Sequence, residues 1–177
     1  MTARRAFGWI VVFALLAAAG GGLLSCGTRP HQVSPGPVGP NRTLEATVTR
    51  VVDGDTIKVR IGASPDTVRY IGIDTPESVK PGTPVECFAK AASAYNRRLV
   101  DRGAVRLRTD AEPRDRYGRL LAYVYRRRDG LFVNAALVRQ GFAAILTIPP
   151  NVAHAAELLR LERGARAAGR GLWHACG

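Results

Sequence analysis

Histidine, cysteine and acidic residues are all scarce in this chain, and each shortage closes off a class of chemistry. Of 177 residues, three are histidine and three are cysteine. His31, His154 and His174 stand far apart and form no catalytic or ligand pattern. Surface or capping roles suit them, and enzymes built on a histidine nucleophile or a histidine-held metal are disfavoured. Cys26, Cys87 and Cys176 have no second cysteine or spaced histidine nearby, which argues against a zinc site. There is no internal repeat. Asp and Glu total 14 against 26 Lys and Arg, a net charge of +12. With an ordinary apolar content of 46%, such a basic chain suits a polyanionic partner, either nucleic acid or an anionic membrane surface.

One long apolar run is present, at the start. Arg4 and Arg5 precede an uncharged stretch from Ala6 to Thr28 whose centre, Trp9 to Ala19, has the character of a signal-peptide apolar region. Leu23-Leu24-Ser25-Cys26 resembles a bacterial lipobox, in which Cys26 is lipidated and becomes the first residue. An uncleaved anchor is the other reading, since the stretch is long enough to span a bilayer, although Gly20-Gly21-Gly22 weakens such a helix. A plain secreted form is the third. All three place the domain outside the cytoplasm, the lipoprotein on the outer face of the cell membrane. Residues 1–25 are thus read as a signal peptide, 26–42, rich in proline and glycine, as a flexible tether, and 43–177 as the folded domain. Lipidation of Cys26 leaves Cys87 and Cys176, either a disulfide pair in an oxidising compartment or two free thiols.

Within the domain, Leu44–Val52 and Asp55–Ile61 flank Asp53-Gly54, a strong hairpin signal. Asp66–Ile73 reads as a third strand, 85–102 as a helix with one apolar face, and Ala104–Thr109 and Arg119–Arg127 as strands four and five. Leu131–Gln140 is a short helix. Asn151 is placed to cap a last helix, reaching Ala168, with Val152, Ala155, Ala156, Leu159 and Arg163 on one face. This order predicts an α+β fold: a five-stranded OB-fold barrel with about three helices.

Three segments carry chemistry: Val51–Val59, Arg69–Glu77 and Asp115–Arg119. They place acids and arginines at the ends of apolar strands, where a charge is costly unless paired or bound to a metal. Alternation puts Asp55 in a row with Ile57, Val59 and Ile61, and Arg69 in one with Ile71 and Ile73. Both rows are expected to face inward, so the two charges would meet at a barrel mouth. Asp74 ends strand three, and Pro76 holds Thr75 out of helix, so its carbonyl can face a cation. Oxygen ligands alone suit Ca²⁺ or Mg²⁺, and the spacing is not that of an EF-hand. Arg69 and Arg119 offer forked donors to phosphate. The acids are too few for a two-metal clamp. Arg126-Arg127-Arg128 reads as a solvated hairpin end or a nucleic-acid track, and Trp173 as a packing anchor.

These segments, together with Val133–Gly141, closely resemble the staphylococcal nuclease (thermonuclease) family, over roughly residues 44–173. The resemblance implies one Ca²⁺ held by Asp55, Asp74 and the Thr75 carbonyl, with Asp53 close by. It implies Glu77 as the residue that activates water, and Arg69 and Arg119 as the arginines on the scissile phosphate. Arg116 and Tyr117 match residues that contact bound nucleotide. It further implies DNA and RNA as substrates and products ending in 3′-phosphate, and a monomer is expected. A non-catalytic nucleic-acid-binding module on the same fold is the alternative, although such modules usually lose the acids or arginines. The chain departs from the family's type member at Leu146 and Ile148, where that protein has tyrosines lining the nucleotide pocket, and between Glu77 and Cys87, where the chain is shorter.

Overall fold

The computed structural model describes residues 38–77 and 84–176. The expected signal segment, Cys26 and most of the expected tether lie outside these residues. The last tether positions, 38–42, are fastened down: Asn41 N–H donates to Asp110 O, and Thr109 Oγ1 donates to Gly39 O and accepts from Arg42 N.

The described residues form seven strands and four helices: β1 Thr43–Val51, β2 Thr56–Ile61, β3 Ser64–Tyr70, β4 Gly72–Asp74, α1 Ala89–Val100, β5 Ala104–Arg108, β6 Leu120–Arg126, α2 Val133–Arg139, β7 Ala144–Leu146, α3 Ala155–Ala167 and the single turn α4 Leu172–Ala175. Five strands close a barrel in the order β1-β2-β3-β6-β5. All its pairings are antiparallel except β3 with β6. Closure leaves no strand edge unpaired. Alternation sends Ala46, Val48, Ile57, Val59, Val68, Val105, Leu107 and Val124 into the core, where Leu137 of α2 and Leu158 of α3 meet them. The expected α+β barrel of OB type is the fold observed.

Four details differ from expectation. Strand three is broken: the chain turns at Gly72 (φ 78°) and leaves the barrel to pair β4 with β7 in a separate ribbon. A Cβ at Gly72 would stand 2.8 Å from Leu158 Cδ1. Alternation within β3 sends Val68 and Tyr70 into the core and leaves Arg69 on the row between them, and the break separates Arg69 from Ile71 and Ile73. The expected inward row of Arg69, Ile71 and Ile73 does not exist. Secondly, α1 begins at Ala89, after Phe88 in a left-handed conformation (φ 68°), and buries Ala89, Ala92, Asn96 and Val100. Thirdly, His154, not Asn151, occupies the N-cap position of α3. Asn151 is buried and locks a loop instead, donating to Glu112 O and accepting from Glu112 N. Finally, the buried face of α3 is Leu158, Leu161, Glu162 and Ala165, while Val152 is exposed. Glu162 is tolerated inside because its carboxylate accepts from Ile145 N–H and pairs with Arg166, which ties α3 to β7.

The sulfurs of Cys87 and Cys176 are bonded, their Cα atoms 5.9 Å apart, joining the segment before α1 to the end of α4. Arg166 lies over the Trp173 ring, 3.7 Å from its centre. Among the described residues no helix is long and apolar enough to cross a membrane.

Candidate active site

The site is built where β2 begins and β3 ends. Thr56 and Arg69 are paired across the strands, so the residue before one and the side chain of the other are forced together. Asp55 is only 4% exposed. Its Oδ2 accepts from Thr75 N (2.8 Å) and Thr75 Oγ1 (3.0 Å), and its Oδ1 from Thr56 Oγ1 (3.1 Å). Arg69 bridges the two acids, with Nη1 2.5 Å from Asp55 Oδ2 and Nη2 2.6 Å from Asp74 Oδ1. Nη1 also donates to Ile73 O. The Asp53-Gly54 loop is held from outside: Asp53 Oδ1 accepts from Asp55 N, and Asn96 Nδ2 donates to Asp53 O. Tyr70 Oη in turn donates to Asn96 Oδ1.

Arg119 arrives from the turn before β6. Its Nε donates to Asp115 Oδ2 (2.7 Å), and Asp115 Oδ1 accepts from the backbone N–H of both Tyr117 and Arg119. One carboxylate thus shapes the turn and orients the guanidinium. Exposed Tyr117 carries both neighbouring arginines on its ring, Arg116 at 4.8 Å and Arg119 at 5.4 Å. Asp53, Asp55, Arg69, Asp74, Glu77 and Arg119 all line one polar cavity of about 60 Å³. Arg69 and Arg119 also line a larger cleft of about 500 Å³ with Arg116, Tyr117, Leu146 and Ile148.

The donor set fits a hard cation. Two carboxylates, Asp55 and Asp74, converge on one positive group, and no nitrogen or sulfur ligand accompanies them. Burial pushes the Asp55 carboxyl up to about 7; Arg69 opposes this and Asp53 adds to it. The rise comes from burial despite the Arg69 pairing, and a dication beside the carboxylate would offset that cost. Among the described residues no three acids, histidines or cysteines form a closed metal cage, so an ion here would take its other ligands from backbone or water.

The sequence profile described as "Staphylococcal nuclease homologue" matches residues 67–175. The chain belongs to the staphylococcal nuclease family. It is 47% identical over 104 residues to a thermonuclease of Staphylococcus intermedius, covering 59% of this chain and 61% of that protein. It is 38% identical over 138 residues to endonuclease YncB of Bacillus subtilis (strain 168), covering 77% and 64%. It is 37% identical over 126 residues to a thermonuclease of Staphylococcus hyicus, covering 71% and 73%. The first two relatives are therefore matched over less than two thirds of their own length.

For this nuclease-family site, the structure brings together Asp55, Arg69, Asp74, Thr75, Glu77 and Arg119, and places Arg116 and Tyr117 on the adjoining cleft. Cys87 and Cys176 lie elsewhere, at the α1 and α4 ends. Three supporting residues have roles that their sequence surroundings do not announce. Asp115 reads as one polar residue among several in its segment, and Asn96 as one of the polar positions of a helix. Asn134, fully buried, accepts from Val124 N and donates to Ile71 O, pinning the chain just before β4. A polar residue inside an apolar run is the one signal that could point to Asn134.

Proposed function

We propose that this chain is a Ca²⁺-dependent nuclease that hydrolyses phosphodiester bonds of DNA and RNA, acting outside the cytoplasm. The observation that carries the reading is one small cavity lined by Asp53, Asp55, Asp74, Glu77 and two arginines. Asp55 and Asp74 would hold the ion, with the Thr75 carbonyl as the third protein ligand. Ca²⁺, when bound, supplies positive charge against a non-bridging phosphate oxygen.

The chain's own residues do the rest. Glu77 takes a proton from a water aligned in line with the bond to be broken. The water oxygen bonds to phosphorus, the bond from phosphorus to the 5′-oxygen breaks, and that oxygen leaves as a hydroxyl after taking a proton from solvent. The product ends in a 3′-phosphate. Arg69 and Arg119 donate to the equatorial oxygens as charge grows on them, and Asp115 keeps the Arg119 fork aimed. Arg116 and Tyr117 hold the neighbouring nucleotide. Leu146 and Ile148 offer the base an apolar wall without an aromatic face. Export rests on the leader sequence and on a lipobox ending at Cys26, with membrane tethering through that lipid. A disulfide suits such a compartment. The protein would act as a monomer.

The test is cleavage of plasmid DNA and RNA by the purified protein and its variants, with end-group analysis of the products. Glu77→Gln should lower kcat by about 10²–10⁴ and Arg119→Ala by about 10²–10³, with folding unchanged and ends that a 3′-phosphatase can trim. Nucleic-acid binding with no cleavage by the wild type would instead identify a binding module.

A further inference from the structure

The outward face of β1, β2 and β5 carries a row of cations that the active site does not use. Arg50, Lys58, Arg60, Arg106 and Arg108 are all exposed, on strands whose alternate residues fill the core. The register joins them into one surface. Arg50 stands opposite Lys58, Arg60 opposite Thr47, and Thr47 opposite Ala104. Arg106 and Arg108 continue the row along β5, opposite Glu45 and Thr43. Glu45 is the one acid among these positions, and its carboxylate already serves Arg106 and Arg127. Among the described residues Arg50, Lys58 and Arg60 form no ion pair of 4.0 Å or less. Two like charges directly across a ladder are destabilising, and an anion set between Arg50 and Lys58 would relieve the pair. Towards β6 the surface ends at Tyr125, which faces Arg106 across the ladder and interacts with Arg108, while its ring is stacked on Phe132 and its hydroxyl meets His154.

We propose that this face is a track for the phosphate backbone of a long nucleic acid strand whose other part lies in the catalytic cleft. The inference rests on the nuclease reading and extends it to the substrate class, polymers over short fragments. The placement favours a strand over a lipid surface. Arg50 and Lys58 stand at the end of β1 and β2 that leads into the Asp53–Asp55 loop, so the row begins beside the active site. Same-face neighbours along a strand are spaced about 6.6–6.8 Å apart, which presents a line of separate point charges. No aromatic side chain lies in the row, so recognition is of phosphate and independent of sequence.

The experiment compares the full-length wild type with the triple variant Arg50→Gln, Lys58→Gln, Arg60→Gln. Binding of a long mixed-sequence single-stranded DNA is measured in EGTA across a salt series, and KM is measured in calcium on that DNA and on a tetranucleotide. The variant should bind the long DNA at least about tenfold more weakly. Its salt slope should fall by about 2, or about 0.7 for each phosphate that the missing cations no longer neutralise. KM should rise on the long DNA and stay unchanged on the tetranucleotide, with an unchanged melting temperature. Unchanged affinity and salt slope for the long DNA would overturn the track. Unchanged DNA binding with abolished binding to phosphatidylglycerol vesicles would overturn it in favour of a membrane-facing surface. If the wild type cuts neither substrate, the nuclease reading fails, while the binding series still decides the track.

Discussion

Asp55 sits in the least forgiving place in the site, a buried carboxylate that the proposed function also makes a metal ligand. Its oxygens take hydrogen bonds from Thr56 and Thr75, and Arg69 ties it to Asp74. Burial still pushes its carboxyl up to about 7, and a cation bound there would offset the cost of burying its charge. A ligand that binds only the folded state raises stability by about 2.7 kcal/mol when present at a hundred times its dissociation constant. Scanning calorimetry with and without calcium should therefore show a higher melting temperature for the wild type in calcium. Asp55→Asn should melt at one temperature in both. An equal calcium response in the variant would remove Asp55 from the ligand set. Arg119 depends on a different acid. The role of Asp115 is hidden in the sequence because it arises from a turn, where one carboxylate meets two backbone N–H groups and the Arg119 side chain at once.

Among the elements, the loop between β1 and β2 decides whether these side chains converge. Gly54 is required by close approach and not by a positive φ: a Cβ there would lie 2.6–2.7 Å from the side chain of Thr75, itself held to Asp55 by two hydrogen bonds. Gly54→Ala should cost about 1–3 kcal/mol and weaken calcium binding, as read by urea unfolding and calcium titration. An unchanged calcium affinity would separate the loop from the site. The barrel strands are legible in the sequence because each buries one face, so that Ala46, Val48 and Val59 alternate with exposed neighbours. The break at Gly72 is not legible. Ile71 and Ile73 continue the apolar pattern through it, and only the pairing with distant Ala144–Leu146 shows that β4 belongs to another sheet. The face of α3 is obscured for a similar reason. Buried Glu162 reads as a surface residue until its partner Ile145, on β7, is in place. The acids and arginines that line the cavity are legible because charges at the ends of apolar strands stand out in the sequence, whereas Asn96, Asn134 and Asn151 work through contacts far along the chain.

For the whole molecule, one covalent link joins the region before α1 to the C-terminal turn across a separation of 89 residues. In the chain-entropy account, closing such a loop stabilises the fold by at most roughly 4–5 kcal/mol. The double variant Cys87→Ser, Cys176→Ser should melt well below the wild type yet keep its kcat at temperatures where it is folded, since neither cysteine lines the active-site cavity. A fall in kcat in the folded variant would mean that α1 carries strain into the Asp53 loop through Asn96. The chain carries a net charge of +12, and the outer barrel face contributes Arg50, Lys58, Arg60, Arg106 and Arg108 to it, a surface suited to a polyanion larger than the cleft. The most direct measurement is the time course of plasmid DNA cleavage by the purified protein as calcium is titrated in and then removed with EGTA. Cleavage that appears with calcium, stops on chelation and returns when calcium is restored is the predicted result. Tight DNA binding with no cleavage at any calcium concentration, or cleavage indifferent to EGTA, would contradict it.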